Sequence, residues 1–190
     1  NVVTLIGTYL EDKFIDQMMQ NDNFHPILNC KLPNKLKLRK FEKFAEEFKE
    51  KPDLIVLGVN SKGIDWAGNE IAKYYSPEIP ILLLTKGLTI INNQYETIAE
   101  KLKQILKKNG SKKNNISAVG GPCLASGLAN KVRSSVVLAN QNIETVKYIG
   151  KMISTNYYST EFSDDLIGVE VCAAVKNIYS MLIGASKGLC

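Results

Sequence analysis

Short apolar runs alternate along this chain with longer stretches in which apolar residues recur every three or four positions. Residues 2–6, 54–59 and 79–84 are β-branched or leucine-rich runs of the kind that fill buried strands. Residues 36–38, 116–119, 134–139 and 157–162 read as further strands. Helical spacing places Leu10, Phe14, Ile15 and Met18 on one face over 10–19, and Ile98, Leu102, Ile105 and Leu106 on one face over 95–106. Phe41, Phe44 and Phe48 predict an amphipathic helix over 41–48, and 64–75, 124–130 and 143–152 complete the set, with Trp66 as a packing residue. Residues 21–34, punctuated by Pro26 and Pro33, read as loop. Strands alternating with helices predict βαβ units: an α/β fold of Rossmann type, with a mainly parallel sheet and helices on both faces. In such sheets ligands bind beyond the carboxyl ends of the strands. Four of these ends carry short polar or glycine-rich loops: Gly7-Thr8, Asn60-Ser61, Thr85-Lys86-Gly87 and Gly120-Gly121-Pro122-Cys123.

The alternation stops at residues 165–190, a long and mostly apolar helical run that carries one lysine, Lys176, in its middle, followed by Asn177. Ala173 and Ser180 share its face, three residues before and four after. A buried amine is costly unless it is paired. Lys176 is therefore paired, snorkelling to water along its own stem, or placed to meet a ligand. The run predicts the first helix of a second, all-helical domain, which divides the chain into 1–162 and 163–190.

Composition narrows the picture. The hydrophobic share of 45% is ordinary for a globular domain. No stretch reaches about 18 uninterrupted apolar residues, since Glu170, Lys176 and Lys187 break the last helix, so no membrane span is expected. Much of the +5 net charge comes from the loop Lys107-Lys108-Asn109-Gly110-Ser111-Lys112-Lys113, and no basic–aromatic mixture points to nucleic acid. The scattered Cys30, Cys123, Cys172 and Cys190 form no CxxC pair and fit reduced thiols in a cytoplasmic protein. The chain opens in mid-strand at Asn1 and stops within a helical pattern at Cys190, so a fragment of a longer protein is expected.

Candidate chemistry gathers at the strand ends. Lys86 directly follows a buried strand, where a cation can hold a phosphate or a carbonyl oxygen, although a surface lysine fits the position too. Gly120-Gly121-Pro122 lies between a strand and a short helix and lets backbone come close to a ligand, or simply makes a tight turn. Cys123 lacks a partner histidine and is not read as a nucleophile. The single histidine, His25, makes no metal site, and none is expected. Asp164-Asp165 suits helix capping.

In their order and spacing, Leu84-Thr85-Lys86-Gly87-Leu88, Gly121-Pro122-Cys123-Leu124-Ala125 with Leu128-Ala129, Asp165-Leu166-Ile167-Gly168-Val169-Glu170 and Ala174-Val175-Lys176-Asn177 resemble the NAD(P)-dependent glycerol-3-phosphate dehydrogenase family. Val3-Thr4-Leu5-Ile6-Gly7 and Lys31-Leu32-Pro33 fit the same pattern. The resemblance implies a Rossmann-type cofactor domain over 1–162 and the start of a helical substrate domain over 163–190. It implies reversible hydride transfer between NAD(P)H and dihydroxyacetone phosphate, in the supply of glycerolipid precursors. It also implies a small phosphate substrate as the partner and a homodimer for the full-length protein. By family position, Lys176 is the proton donor and acceptor. Lys86, Gly121, Cys123, Lys176 and Asn177 face substrate, and Thr8, Asn60, Lys86 and Ala125 face NAD or NADP. Burial among Ala173, Ala174 and Ser180 is expected to lower the Lys176 pKa.

The chain departs from the pattern in places. The family's GxGxxG turn would precede Asn1, and its phosphate-binding arginine would follow Cys190. Cys123 stands where Ser, Thr or Asn is commoner, and Arg133-Ser134 replaces a Pro-Thr pair. No acidic residue or arginine directly follows the second strand of the pattern, so NAD and NADP both stay open. Another hydroxy- or keto-acid dehydrogenase of the superfamily, or a non-catalytic nucleotide-binding relative, are the alternatives.

Overall fold

The computed structural model describes residues 2–188; the expectations for Asn1, Leu189 and Cys190 lie outside them. Two compact units emerge, Asn1–Pro52 with Cys123–Arg133, and Asp53–Pro122 with Ser134–Cys190.

In the first unit, β1 (Val3–Ile6) pairs in parallel with β4 (Leu36–Arg39), Leu5 opposite Leu38. Between them run α1 (Asp12–Gln20) and a small antiparallel ladder of β2 (Phe24–His25) and β3 (Cys30–Lys31). Residues 21–34 are therefore not all loop. The ladder closes through Asn29, which takes a left-handed φ of 49°. His25 packs edge-on against Phe14 and accepts the Leu28 amide on Nδ1, so its role is structural. Ile15, Met18 and Leu38 form the core, with Phe14, Leu32 and Leu36 against it. A 3-10 turn at Phe41–Lys43 leads into α2 (Phe44–Lys49), and the Phe41, Phe44 and Phe48 rings meet in sequence at tilted angles.

The second unit holds β5 (Ile55–Leu57), α3 (Ile64–Ala72), β6 (Ile81–Leu83), β7 (Leu88–Ile91), β8 (Gln94–Thr97), α4 (Ile98–Lys108) and β9 (Ile116–Gly120). After α5 (Ala125–Ala129), which belongs to the first unit, come β10 (Ser134–Ala139), α6 (Ile143–Ile153), β11 (Tyr158–Ser163) and α7 (Leu166–Gly188). Its sheet runs β11-β10-β9-β6-β5. The strands β5, β6 and β9 are parallel, while β10 reverses against β9 and carries β11 in parallel with it. The sheet is thus mixed.

Side-chain alternation along β6 and β9 sends residues to opposite faces. Leu82 and Val119 pack with Leu138, Val146 and Ile149 under α6. Gly120, on the other face, meets α7. There α3 and α4 pack closely because Gly68 has no side chain: an added Cβ would lie 3.0 Å from Leu102 Cδ1. Buried Asn140 holds the sheet's far end, donating to Asn115 Oδ1, the Ile116 carbonyl and Ser117 Oγ.

One expected helix needs correction. Residues 95–97 are strand, not helix, because Leu88–Ile91 and Gln94–Thr97 form a hairpin and α4 begins only at Ile98. Asn92 and Asn93 take φ of 50° and 61°, the conformation of a two-residue hairpin turn. Thr97 then caps α4, its hydroxyl accepting the Glu100 amide.

The expectation of no membrane span rested on the charges in the last helix. By length and composition alone, Leu166–Gly188 is long and apolar enough to cross a membrane. Its first turns instead pack on β9, β10 and β8. They also hold the buried carboxylate of Glu170, a group poorly suited to lipid.

Candidate functional site

The parallel strands β5, β6 and β9 end on one edge of the sheet, and hydrogen bonds tie their loops together. The Thr85 hydroxyl donates to the Val59 carbonyl at 2.6 Å, joining the loops after β6 and β5. Lys86 Nζ donates to the Gly121 carbonyl at 3.2 Å, joining the loops after β6 and β9. Lys86 stays exposed, so its ammonium is held at the edge and still meets solvent. Gly121 makes this possible. Its φ is +138°, and a Cβ there would lie 3.0 Å from the Ser135 carbonyl oxygen. Only glycine turns the chain this close to β10.

One residue earlier, Gly120 admits α7. A Cβ would stand 2.9 Å from Val169 Cγ1 and 3.9 Å from Ala173 Cβ. Lys176 and Asn177 lie one turn beyond Ala173. The helix is started by Asp165, whose Oδ1 accepts the Gly168 amide at 2.8 Å. A second attachment comes from Glu170, 5% exposed, whose Oε1 accepts the Ala99 amide in the first turn of α4 at 3.0 Å. Burial pushes this carboxyl above its ordinary range, against the opposing pull of the Ala99, Thr97 and Ile98 hydrogen bonds. Its Oε2 is buried with no hydrogen-bond partner among the described residues.

The structure thus brings Lys86 and Gly121 into contact and seats α7 directly behind them. It does not bury Lys176. Both Lys176 and Asn177 are exposed, as is Ser180, which donates to the Lys176 carbonyl. The expected burial of the amine among Ala173, Ala174 and Ser180 is therefore corrected. Beyond Ala173 the helix runs out past the sheet, and its residues 176–188 are exposed. Asn60 is also exposed, and its Oδ1 already accepts the Gly63 amide, capping the turn after β5. In the first unit, Thr8 is half-buried and its amide donates to Glu11 Oε2 at 2.8 Å. Cys123 is a half-buried free thiol and Ala125 an exposed first residue of α5.

Glu170 and Thr85 were not singled out from the sequence. The signal for Glu170 was available: an acidic residue inside an apolar helix raises the same question as Lys176. Thr85 stands in the strand-end loop Thr85-Lys86-Gly87, but a threonine after a strand does not by itself announce a bond to the next loop.

These residues fit an anionic group at the strand ends. Lys86 supplies a cation. Gly87, at φ +132°, has nothing within 4 Å of a would-be Cβ, so backbone there is open to close approach. Among the described residues no group of three His, Cys, Asp or Glu side chains could hold a metal ion.

The description "NAD-dependent glycerol-3-phosphate dehydrogenase N-terminus" belongs to the family whose model matches residues 4–146. A relative from Archaeoglobus fulgidus, an NADP(+)-dependent glycerol-3-phosphate dehydrogenase, is 26% identical over 99% of this chain and 54% of its own. A glycerol-3-phosphate dehydrogenase [NAD(P)+] from Francisella tularensis is 27% identical over 92% and 50%. The chain spans about half the length of these curated relatives. Among solved structures, the glycerol-3-phosphate dehydrogenase of Coxiella burnetii aligns at TM-score 0.75 and 25% identity, covering 98% of this chain and 54% of that one. The Dunaliella salina structure, DsGPDH, aligns at TM-score 0.80 over 98% of this chain and 32% of that one, at 19% identity, a likeness of fold.

Proposed function

Because the chain belongs to the NAD-dependent glycerol-3-phosphate dehydrogenase N-terminus family, we propose that it takes part in reversible hydride transfer between NAD(P)H and dihydroxyacetone phosphate, giving sn-glycerol 3-phosphate. The observation that carries the reading is the Lys86 ammonium bonded to the Gly121 carbonyl at the carboxyl ends of β6 and β9. It lies where an open α/β sheet binds its ligands. In this reading, residues 1–162 bind the cofactor and 163–190 open the substrate domain of a longer, homodimeric protein that works in the cytoplasm and supplies glycerolipid precursors.

The bound dinucleotide supplies the hydride. As it reaches the carbonyl carbon, the C=O π electrons move to oxygen and negative charge grows there. Lys176 stabilises that charge as an ammonium and gives its proton to the oxygen; the resulting amine is reprotonated from solvent. Asn177 orients the substrate through its amide, and Lys86 holds anionic groups by charge-assisted hydrogen bonds. Gly121 serves as a backbone contact to substrate beside Lys86, which its carbonyl already holds. In the first unit, Cys123 serves as a substrate contact, with Thr8 and Ala125 as cofactor contacts. Asn60 is a cofactor contact in the turn after β5, where its side-chain oxygen accepts the Gly63 amide.

The exposure of Lys176 fits a group that completes its site only when more of the substrate domain covers it. The test is NAD(P)H oxidation by dihydroxyacetone phosphate with the full-length protein. Lys176→Ala is expected to lose about 10²–10⁴-fold in kcat. No oxidation by the wild type with either cofactor would sink the reading.

A further inference from the structure

The helix α7 carries Lys176 and Asn177, and contacts within the second unit decide where it lies. Val169 stands against Gly120, where a Cβ would come within 2.9 Å of its Cγ1. Ala173 follows on the same helix face, 3.9 Å from that position, and Lys176 continues the face one turn further. Small apolar contacts of this kind are non-directional. By themselves they do not set how far the helix has advanced along the sheet.

Glu170 supplies the direction. Its side chain is 5% exposed, and its Oε1 accepts the Ala99 amide at 3.0 Å. Such a bond keeps its length within about half an ångström, so it fixes the register of α7 on α4. An apolar side chain would seat a buried helix with less desolvation. What the carboxylate adds is a fixed position. The anchor point is also connected to Lys86. Ala99 lies in the first turn of α4, directly after β8, and Thr97 at the end of β8 pairs with Leu88 at the start of β7. Leu88 is two residues beyond Lys86, whose Nζ donates to the Gly121 carbonyl. One carboxylate thus ties the helix that bears Lys176 to the hairpin that leaves the Lys86 loop. Lys176 stands six residues past Glu170, about 9 Å along the helix axis, so a shift at one is carried to the other.

We infer that Glu170 is a positioning residue: by its bond to the start of α4 it sets where Lys176 stands relative to Lys86. The inference rests on the proposed dehydrogenase reading, in which Lys176 donates the proton, and adds to it a residue that acts through that lysine from within the fold.

The experiment is steady-state oxidation of NAD(P)H by dihydroxyacetone phosphate with the full-length protein, alongside thermal melts. Glu170→Asp keeps the charge and shortens the arm by one methylene, so α7 must shift to keep the bond. It is expected to lower kcat about tenfold or more and to leave the KM for NAD(P)H within about twofold. Glu170→Gln has the original reach and an acceptor for Ala99, and is expected to stay within about threefold of the wild-type kcat. In a Lys176→Ala background, Glu170→Asp is expected to add less than about twofold, because its effect passes through that amine. Gly120→Ala pushes α7 at Val169 instead and is expected to lower kcat in the same pattern, which keeps the inference testable should Glu170→Asp fail to fold. A wild-type kcat in Glu170→Asp overturns the inference. So does a loss in Glu170→Gln equal to that in Glu170→Asp. An equal loss by Glu170→Asp with and without the Lys176 amine overturns it too, since general loosening of the fold gives that result. Each of these leaves the dehydrogenase reading standing. A wild type inactive with both cofactors overturns that reading, and the inference with it.

Discussion

Glu170 shows how one side chain couples chemistry to packing. Its carboxylate is almost fully buried, accepts the Ala99 amide, and leaves Oε2 without a hydrogen-bond partner among the described residues. Burial raises its pKa above the ordinary carboxylate value, so the folded chain binds this proton more tightly than the unfolded one. The sign follows from linkage. Where the folded state holds more protons, stability falls as pH rises. The contribution of Glu170 is greatest below the unfolded carboxylate pKa and declines as pH climbs through the folded one. Glu170→Gln keeps an acceptor for Ala99 and removes the titration. Urea melts across pH should show the wild type losing stability relative to this variant from the carboxylate range upward. Parallel pH profiles for the two proteins would contradict the account. The same scale explains which site residues the sequence exposed. Lys86 and Gly121 are readable because a strand end and a glycine pair mark them. The surroundings of Lys176 are not readable in the same way, because helical spacing gives neighbours on the helix itself and says nothing of what covers it. Its exposure depends on contacts from elsewhere in the fold.

At the scale of elements, the buried strands were legible because Leu82 and Leu83 sit in an unbroken apolar run between turn signals. The β7–β8 hairpin was not, for a reason visible in its residues. Tyr95 precedes Ile98 and Leu102 at helical spacing, so the helix pattern extends backwards into a strand. Asn92 and Asn93 were the opposing signal, since two adjacent asparagines after Ile90-Ile91 suit a turn with both central φ positive. That turn yields a prediction. Asn93→Gly should keep or raise stability by up to about 1 kcal/mol, because glycine adopts φ of 61° without steric cost. Asn93→Val should cost about 1–2 kcal/mol, since a β-branched side chain is strained there. Thermal melts of both variants would decide it, and a Val variant as stable as the Gly variant would refute the turn. The direction of β10 was equally hidden. Its residues alternate the same way whether it runs with β9 or against it, so periodicity alone cannot orient it.

At the scale of the molecule, the chain leaves one helix half covered. The first turns of α7 are seated by Gly120 and Glu170, whereas Ile178, Tyr179, Met181, Leu182 and Ile183 are each 54–67% exposed. These side chains lie on consecutive turns and form an apolar surface that a monomer in water rarely presents. Single exposed apolar residues need no explanation, but a contiguous set drives association at about 25 cal/mol per Å² of surface removed from water. The chain by itself is therefore expected to self-associate as its concentration rises. Sedimentation velocity across a concentration series should show this as a rising weight-average mass. Leu182→Lys with Ile183→Lys should shift the population toward monomer, because two charges would have to be desolvated in any contact. The melting temperature should barely move, since neither residue is packed in the folded chain. A wild-type chain that stays monomeric at every concentration would mean that this surface is not sticky. Equal association in the double variant would move the contact away from α7.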